Sequence, residues 1–460
     1  MLLENKYKEK IINLKSNNIL TGEEECYCYA EDASNLIKPE SAPQMVVFAN
    51  NIADVQNTLK YAYQNKIPII PRGAGTNMVG SCACNERGIV LNFSKMNKIL
   101  EINPVNMTAT VEPGVVMGDL KKEAEKLGLF FPPDPSNYAV STVGGAIAQS
   151  SGGALGFKYG TIKDYILSLK VVTSDGRILT LGTNTSKDSS GYHLAQLMVG
   201  SEGTLAIVVE ATLKLIPKPE TIKAVSAYFD GIECAMKAVN EIIKNKLFPA
   251  AMDFMDKNAI STVEDYTKSG LNTDKECMLL ITVDGQECSM EYQIKSVINV
   301  LNNCGASEIN ISKNSEEYDS IWNARHSSFA AATRLAPDVV TDDIIVPREN
   351  LAKMAEKCKA VAEKYNLKMC LIGHAGDGNI HPQIALNLES DTEFKNFTDA
   401  RAEIYKEAIK LGGSISAEHG IGLEKKSYMK DTMDKNALEY MKMIKHIFDP
   451  QNILNPGKIF

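Results

Sequence analysis

The chain has 460 residues, 44% of them apolar and 23% charged, with a formal net charge of −8. That length exceeds one ordinary core and sets an expectation of two or three domains. The acidic balance, with no basic block against it, argues against nucleic-acid binding.

Charge in Met1-Leu2-Leu3-Glu4-Asn5-Lys6 comes too early for a signal peptide. No window approaches the roughly 20 apolar residues a membrane span needs, so the sequence reads as a soluble cytoplasmic protein. Ten cysteines lie scattered without C-x-x-C spacing, the nearest pairs being Cys26/Cys28 and Cys82/Cys84. Free thiols are expected, and an iron–sulfur cluster or zinc ribbon held by this chain alone is not.

In chain order, residues 5–14 read as an opening helix, 45–48 as a strand, and 54–66 as an amphipathic helix with Val55, Leu59 and Ala62 at helical spacing. The apolar run 67–70 feeds a glycine loop, Pro71-Arg72-Gly73-Ala74-Gly75-Thr76-Asn77 with Gly80 beyond it. A loop at a strand end is the usual ligand position in α/β units, and its glycines let backbone N–H groups approach an anion. The spacing is not the G-x-G-x-x-G of nicotinamide sites, and taken alone it reads sooner as a surface turn. A second stretch runs from Pro135 through Ser141-Thr142-Val143-Gly144-Gly145-Ala146-Ile147-Ala148-Gln149-Ser150-Ser151-Gly152-Gly153 to Tyr159-Gly160. Gly200-Ser201-Glu202-Gly203-Thr204 repeats the theme. Three such loops in one half, each flanked by apolar strands, imply a bound cofactor. Strands are expected at 109–114, 167–172 and 213–219, with an Asp175-Gly176 hairpin turn between the last two.

After Pro219, strands at 224–229, 250–254, 277–283 and 307–311 alternate with helices at 232–246 and 290–301. Two strand–helix–strand units predict a ferredoxin-like antiparallel sheet with helices on one face. Trp322, the only tryptophan, precedes Arg325 in a W-x-x-R setting, and Arg334 lies further on. By composition alone, an arginine in a helix is more often a solvated ion pair than a ligand clamp. Residues 369–372 and 382–386, joined by Gly373-His374-Ala375-Gly376-Asp377-Gly378-Asn379-Ile380-His381, predict a hairpin that brings His374 and His381 together. With Glu418 they would leave positions open on a divalent transition metal; the alternative is ordinary turn histidines bonded to backbone. Residues 391–411 form a charged helix stopped by Gly412-Gly413. An amphipathic segment at 437–448 leads into a D-P-x-x-x-x-N-P-G-K ending.

The loop at 71–76, the stretch 141–160 and Gly200-Ser201-Glu202-Gly203-Thr204 resemble the FAD domain of the vanillyl-alcohol oxidase/p-cresol methylhydroxylase superfamily. Nearly the whole chain resembles its group of glycolate oxidase catalytic subunits, D-lactate dehydrogenases and D-2-hydroxyglutarate dehydrogenases. The resemblance implies an α+β fold: an FAD-binding domain of the p-cresol methylhydroxylase type over 1–219, a ferredoxin-like cap with the substrate and metal site over 220–425, and a segment 426–460 returning to the flavin. It places Arg72 to Thr76 and Ser141 to Ser151 on the pyrophosphate side, and Gly152, Gly153, Tyr159 and Gly160 near the ring system. Glu202, Gly203 and Thr204 complete the site, with Pro71, Asn77, Gly80, Pro135, Thr142, Gly145, Ala148, Ile207 and Asn455 in the same set. No histidine stands in or beside the first loop, so the FAD is expected to be non-covalent. His193 and Ala206 depart from the family's usual acidic residue and glycine.

The same resemblance puts His374, His381 and Glu418 on a metal (zinc, iron or manganese), with Asn379 and His419 beside the substrate and His419 as general base. In extended chain Glu418 and His419 would point to opposite sides. Arg325 would grip the substrate carboxylate through two charge-assisted hydrogen bonds, with Arg334 a second candidate and Trp322 beside them. By the same resemblance, relatives acting on dicarboxylic hydroxy acids carry a lysine in the strand before Pro347, whereas residues 339–343 offer no basic residue, which favours a small monocarboxylic acid. The implied activity is FAD-dependent oxidation of a D-2-hydroxy acid, D-lactate to pyruvate first, with glycolate and D-2-hydroxyglutarate as alternatives. Electrons would pass to a protein acceptor: an electron-transfer flavoprotein, an iron–sulfur subunit or a quinone-linked chain. Homo-oligomerisation stays open. Two rivals remain, a metal-dependent hydrolase whose glycine loops bind another nucleotide and an electron-relay subunit without its own substrate.

Overall fold

A computed structural model describes residues 18–39 and 41–460, so the helix expected over 5–14 lies outside the described residues. The chain divides into two units. The first takes Met1–Ser151, Thr161–Lys218 and Glu418–Phe460, and the second takes Gly152–Gly160 and Pro219–Ala417. Against the sequence boundaries, residues 152–160 and Pro219 group with the second unit, and the chain rejoins the first at Glu418.

In the first unit the strands Met45–Phe48, Ile89–Asn92 and Ile69–Arg72 lie parallel, with Ile19–Leu20 antiparallel at the edge. Parallel strands of one sheet need a crossover, and the helix Ile52–Asn65 supplies it between the 45–48 and 69–72 strands, which flank Ile89–Asn92. Asn51 caps that helix, accepting from the Asp54 N–H, so it starts two residues before the apolar spacing suggested. Val55, Leu59 and Ala62 are buried, with Val47, Ile69 and Leu91 in the same core. A second sheet is antiparallel, in the order Ile99–Asn103, Thr108–Val111, Ile207–Lys214, Ile166–Val172, Ile178–Gly182. The helix Val143–Gln149 contributes Val143, Ala146 and Ile147 to its core.

The second unit is built on one antiparallel sheet. Its order is Ser307–Ile311, Thr221–Phe229, Cys277–Gly285, Ala251–Asp256, Lys368–His374, Asn379–Leu386, Asp338–Thr341, with Ile344–Ile345 also on the 379–386 strand. The expected strand–helix–strand units form half of it, and the 368–386 hairpin extends it. Three adjacent strands, Ala251–Asp256, Lys368–His374 and Asn379–Leu386, are buried along almost their whole length. A polar side chain on them is costly unless it finds a partner there. Asn314 caps the helix Ser315–His326, which carries Trp322 and Arg325.

Candidate active site

In the first unit the three glycine stretches meet. A Cβ on Gly73 would lie 2.3 Å from Thr142 Oγ1, and one on Gly203 would lie 2.4 Å from Pro71 Cγ. Neither position admits a side chain, so the first loop packs on the second and on the third. Gly200 and Glu202 donate backbone bonds to Ile147 and Ala148 at 2.9 and 2.8 Å, closing the third loop on the second. Thr142 caps its helix by accepting from the Gly145 N–H, Thr204 turns its hydroxyl onto the Ser201 carbonyl (2.7 Å), and Ile207 opens the next strand.

Several members of the expected cofactor set are tied to the protein itself. The Arg72 guanidinium donates to the Glu31 carbonyl and lies over the Tyr29 ring. Asn77 Oδ1 accepts from the Val79 and Ser81 N–H groups, and its Nδ2 donates to the His419 carbonyl at 3.1 Å. Glu202 is buried, accepting from Ser81 Oγ (2.6 Å) and from the N–H groups of Ile421 (2.7 Å) and Gly422 (2.9 Å). Burial pushes its carboxyl up, and those donors pull the other way. Asn455 Nδ2 bridges the Ser81 and Glu202 carbonyls, both at 2.7 Å. Gly152, Gly153, Tyr159 and Gly160 sort with the second unit, where the Tyr159 hydroxyl donates to Asp284 Oδ2 at 2.6 Å.

Glu418 and His419 form a bend rather than extended chain, with Glu418 Oε1 and His419 Nε2 3.9 Å apart. The expectation that they face opposite sides is therefore corrected. Asn77 holds the His419 carbonyl while Glu202 holds the two N–H groups just beyond Gly420, and between these grips the chain turns. Lys458, passed over in the sequence, is buried and donates to the Ala83 carbonyl (2.8 Å) and Asn85 Oδ1 (2.7 Å), which pins the C-terminal tail to the stretch after the first loop. Burial lowers its ammonium to about 8.

In the second unit the hairpin forms as expected, with Ile372 opposite His381. Gly378, at φ +86°, makes the turn where a Cβ would lie 2.1 Å from the Val346 carbonyl. The His374 and His381 rings stand edge to face, 5.2 Å between centroids, and both are buried. His374 Nδ1 donates to Asp253 Oδ1 at 2.8 Å, and His381 Nδ1 reaches the Asp342 carbonyl at 3.3 Å. With Nδ1 protonated, Nε2 carries the lone pair, which is how proteins set imidazoles to ligate a metal.

Asp253 also accepts from Arg325 Nε at 2.9 Å through its other oxygen. Burial opposes its charge, yet His374 and Arg325 outweigh that and hold its carboxyl below the usual range. The Arg325 side chain makes no other hydrogen bond to the described residues, so its terminal nitrogens are available to an anion. Asp253 was missed in the sequence, where its one signal is a lone carboxylate in the buried strand Ala251–Asp256. Asn379 donates to Asp343 Oδ1 (2.9 Å) and to the Ile344 carbonyl (2.8 Å). Asp343 also accepts from Ser416 Oγ (3.0 Å) and the Ala417 N–H (2.8 Å), anchoring the chain one residue before Glu418.

Two candidates do other work. Trp322 is 4% exposed, donates to Thr282 Oγ1 at 3.0 Å and packs in the core, so it supports the helix instead of lining a pocket. Arg334 is exposed, 3.7 Å from Asp265 and over the Tyr266 ring, a surface pair.

Some buried side-chain oxygens have no partner among the described residues. In the first unit Ser141 Oγ and Asn455 Oδ1 have no hydrogen-bond partner among the described residues. In the second unit the same holds for Asn379 Oδ1, Gln383 Oε1 and Thr341 Oγ1. Thr341 and Gln383 are register partners, and Gln383 shares a strand face with His381. Buried oxygens of this kind ordinarily find a partner. Close-packed backbone loops suit a dinucleotide, and the Nδ1-anchored imidazoles suit a divalent metal.

The FAD binding domain model matches residues 43–182, and the model of the C-terminal domain of FAD linked oxidases matches residues 218–459. The glycolate oxidase subunit GlcD of Bacillus subtilis (strain 168) is 41% identical over 92% of this chain and 90% of its own length. The D-lactate dehydrogenase of Anaerostipes hadrus is 34% identical over 98% of this chain and 96% of its own. Among solved structures, p-cresol methylhydroxylase with substrate bound has a TM-score of 0.81 at 19% identity, covering 99% of this chain and 96% of that one. That likeness shows the fold.

Proposed function

This chain belongs to the FAD linked oxidases, and on that premise we propose that it oxidises a small D-2-hydroxy acid to the 2-oxo acid, with D-lactate the first substrate to test. One observation carries the reading. Two buried histidines have their Nδ1 atoms occupied by protein acceptors, and the carboxylate that holds one of them also holds Arg325.

FAD, held by the loops 71–80, 141–151 and 200–204 with Asn455, supplies the two-electron acceptor. His374, His381 and Glu418 would hold a divalent metal, a Lewis acid for the substrate hydroxyl. The remaining work falls to the protein. Arg325 Nε is fixed on Asp253, so the outer guanidinium nitrogens meet the carboxylate in one orientation and choose which face of C2 is presented. His419 takes the hydroxyl proton as general base. Asn379, its amide nitrogen held by Asp343 and Ile344, keeps Oδ1 without a donor from the described residues, a polar group at the start of the strand that carries His381.

The engagement of Arg401 supports a small substrate. Its guanidinium is buried and bonded to Asp342 at 2.8 Å, and Tyr405 bonds the same carboxylate at 2.7 Å. It is closed to a second substrate carboxylate. A monocarboxylic acid is favoured over D-2-hydroxyglutarate, and glycolate shares the chemistry, as the name of the Bacillus relative suggests. That relative is itself named a subunit, which supports a protein electron acceptor.

The test is anaerobic titration of the yellow protein with D-lactate, L-lactate, glycolate and D-2-hydroxyglutarate. Flavin bleaching is expected with D-lactate and, more weakly, glycolate. A flavin bleached by none of the four overturns the proposal, and D-2-hydroxyglutarate bleaching best overturns the size argument.

A further inference from the structure

We propose that Asp253 sets the spacing between the metal-ligating imidazole and the carboxylate clamp, and so restricts the site to acids whose hydroxyl is on the carbon next to the carboxylate. The inference rests on the roles given above to His374 and Arg325, and it adds the source of their spacing.

A carboxylate is planar and small, and both oxygens of this one are engaged, Oδ1 by His374 Nδ1 at 2.8 Å and Oδ2 by Arg325 Nε at 2.9 Å. The side chains of Asp253, His374 and Arg325 are 1%, 10% and 11% exposed, so solvent cannot relax the arrangement. The backbone beneath is equally fixed. Asp253 pairs with His374 on one neighbouring strand and with Leu280 on the other. Arg325 comes from the 315–326 helix, whose Trp322 is bonded to Thr282 on the sheet. Few soft torsions remain between imidazole and guanidinium, and the two move together or not at all.

In a 2-hydroxy acid the hydroxyl and carboxylate oxygens sit on adjacent carbons. A 3-hydroxy acid inserts one more carbon, a displacement on the order of 1 Å or more. Misplacement by about 1 Å costs roughly 10²-fold in rate when geometry is preset. A rigid bridge therefore rejects the longer acid through position, with no steric wall needed.

The test compares D-lactate with D-3-hydroxybutyrate in wild type, D253N and D253E. In D253N the amide offers one acceptor where two donors point, so one contact is lost. In D253E the bridge lengthens by one methylene. The visible flavin spectrum reports folding and FAD retention, and zinc content after loading with ZnCl2 and desalting reports the imidazole. Both variants are expected to stay yellow. D253N should hold less zinc, lose at least 100-fold in kcat/KM for D-lactate and lose at least 10-fold of the wild-type preference for D-lactate. D253E should lose the preference while keeping more zinc than D253N. If D253N does not fold, D253E decides by the same ratio. A variant with wild-type preference and zinc content overturns the proposal. A wild type bleached by no 2-hydroxy acid overturns the reading beneath it, and the two failures are told apart by which protein shows them.

Discussion

At His419 the backbone and the side chain answer to different partners. Asn77 grips the His419 carbonyl, and Glu202 grips the N–H groups of Ile421 and Gly422, so neither contact involves the imidazole. Truncation to alanine therefore leaves the segment in place. His419→Ala is expected to stay yellow, with its FAD content unchanged, while kcat with D-lactate drops by about 10²–10⁴-fold, the usual worth of a positioned base. Full turnover in that variant, measured with a dye acceptor, would remove His419 from the base role. The same distinction explains why Arg325 and Arg334 look alike in sequence and differ in structure. One is buried on Asp253, the other paired in solvent with Asp265, where an exposed pair contributes little.

Asp256 shows what an element junction demands. It caps the helix Lys257–Thr267 through the Ala259 N–H and also accepts from the Leu371 N–H of the 368–374 strand, both on Oδ1. Burial pushes its carboxyl up to about 6, against the pull of those two bonds. A carboxyl raised in the folded state adds stability that is full below its unfolded pKa near 4 and is lost as pH rises through about 6. An asparagine keeps both Oδ1 bonds and carries no charge. The unfolding free energy of Asp256→Asn minus that of wild type, read from denaturant melts, should therefore rise between pH 4 and 6 by an amount on the order of 2–3 kcal/mol. Parallel curves would show that the charge has no cost there. Legibility follows the same division between local and non-local. The 368–386 hairpin, the three glycine loops and the 232–244 helix are visible in sequence because period, turn residues and caps act locally. Asp253 is not, because its partner His374 lies 121 positions away and only strand pairing brings them side by side. Nor is the bend at Glu418-His419, which Asn77 and Glu202 impose from loops far earlier in the chain.

Across the whole molecule the two ligand-binding tasks fall largely to different parts of the chain. The loops 71–80, 141–151 and 200–204 belong to the first unit, whereas His374, His381 and the Asp253–Arg325 pair belong to the second. Each set is held by its own contacts: Gly73 on Thr142 and Gly203 on Pro71 in one, Asp253 on His374 and Arg325 in the other. Metal and flavin should then be removable one at a time. Dialysis against a chelator is expected to abolish bleaching by D-lactate while the visible flavin absorbance survives filtration on the protein. Turnover should return on adding zinc or manganese, ions that imidazole and carboxylate ligands both accommodate. Lowering the pH should ease metal removal, since proton and metal compete for the same Nε2 lone pairs. Release of FAD in step with the metal would show that the flavin loops depend on the metal ligands. Purified, active protein with no stoichiometric divalent ion would remove the metal from the mechanism, leaving Arg325 and His419 to position and deprotonate the substrate alone.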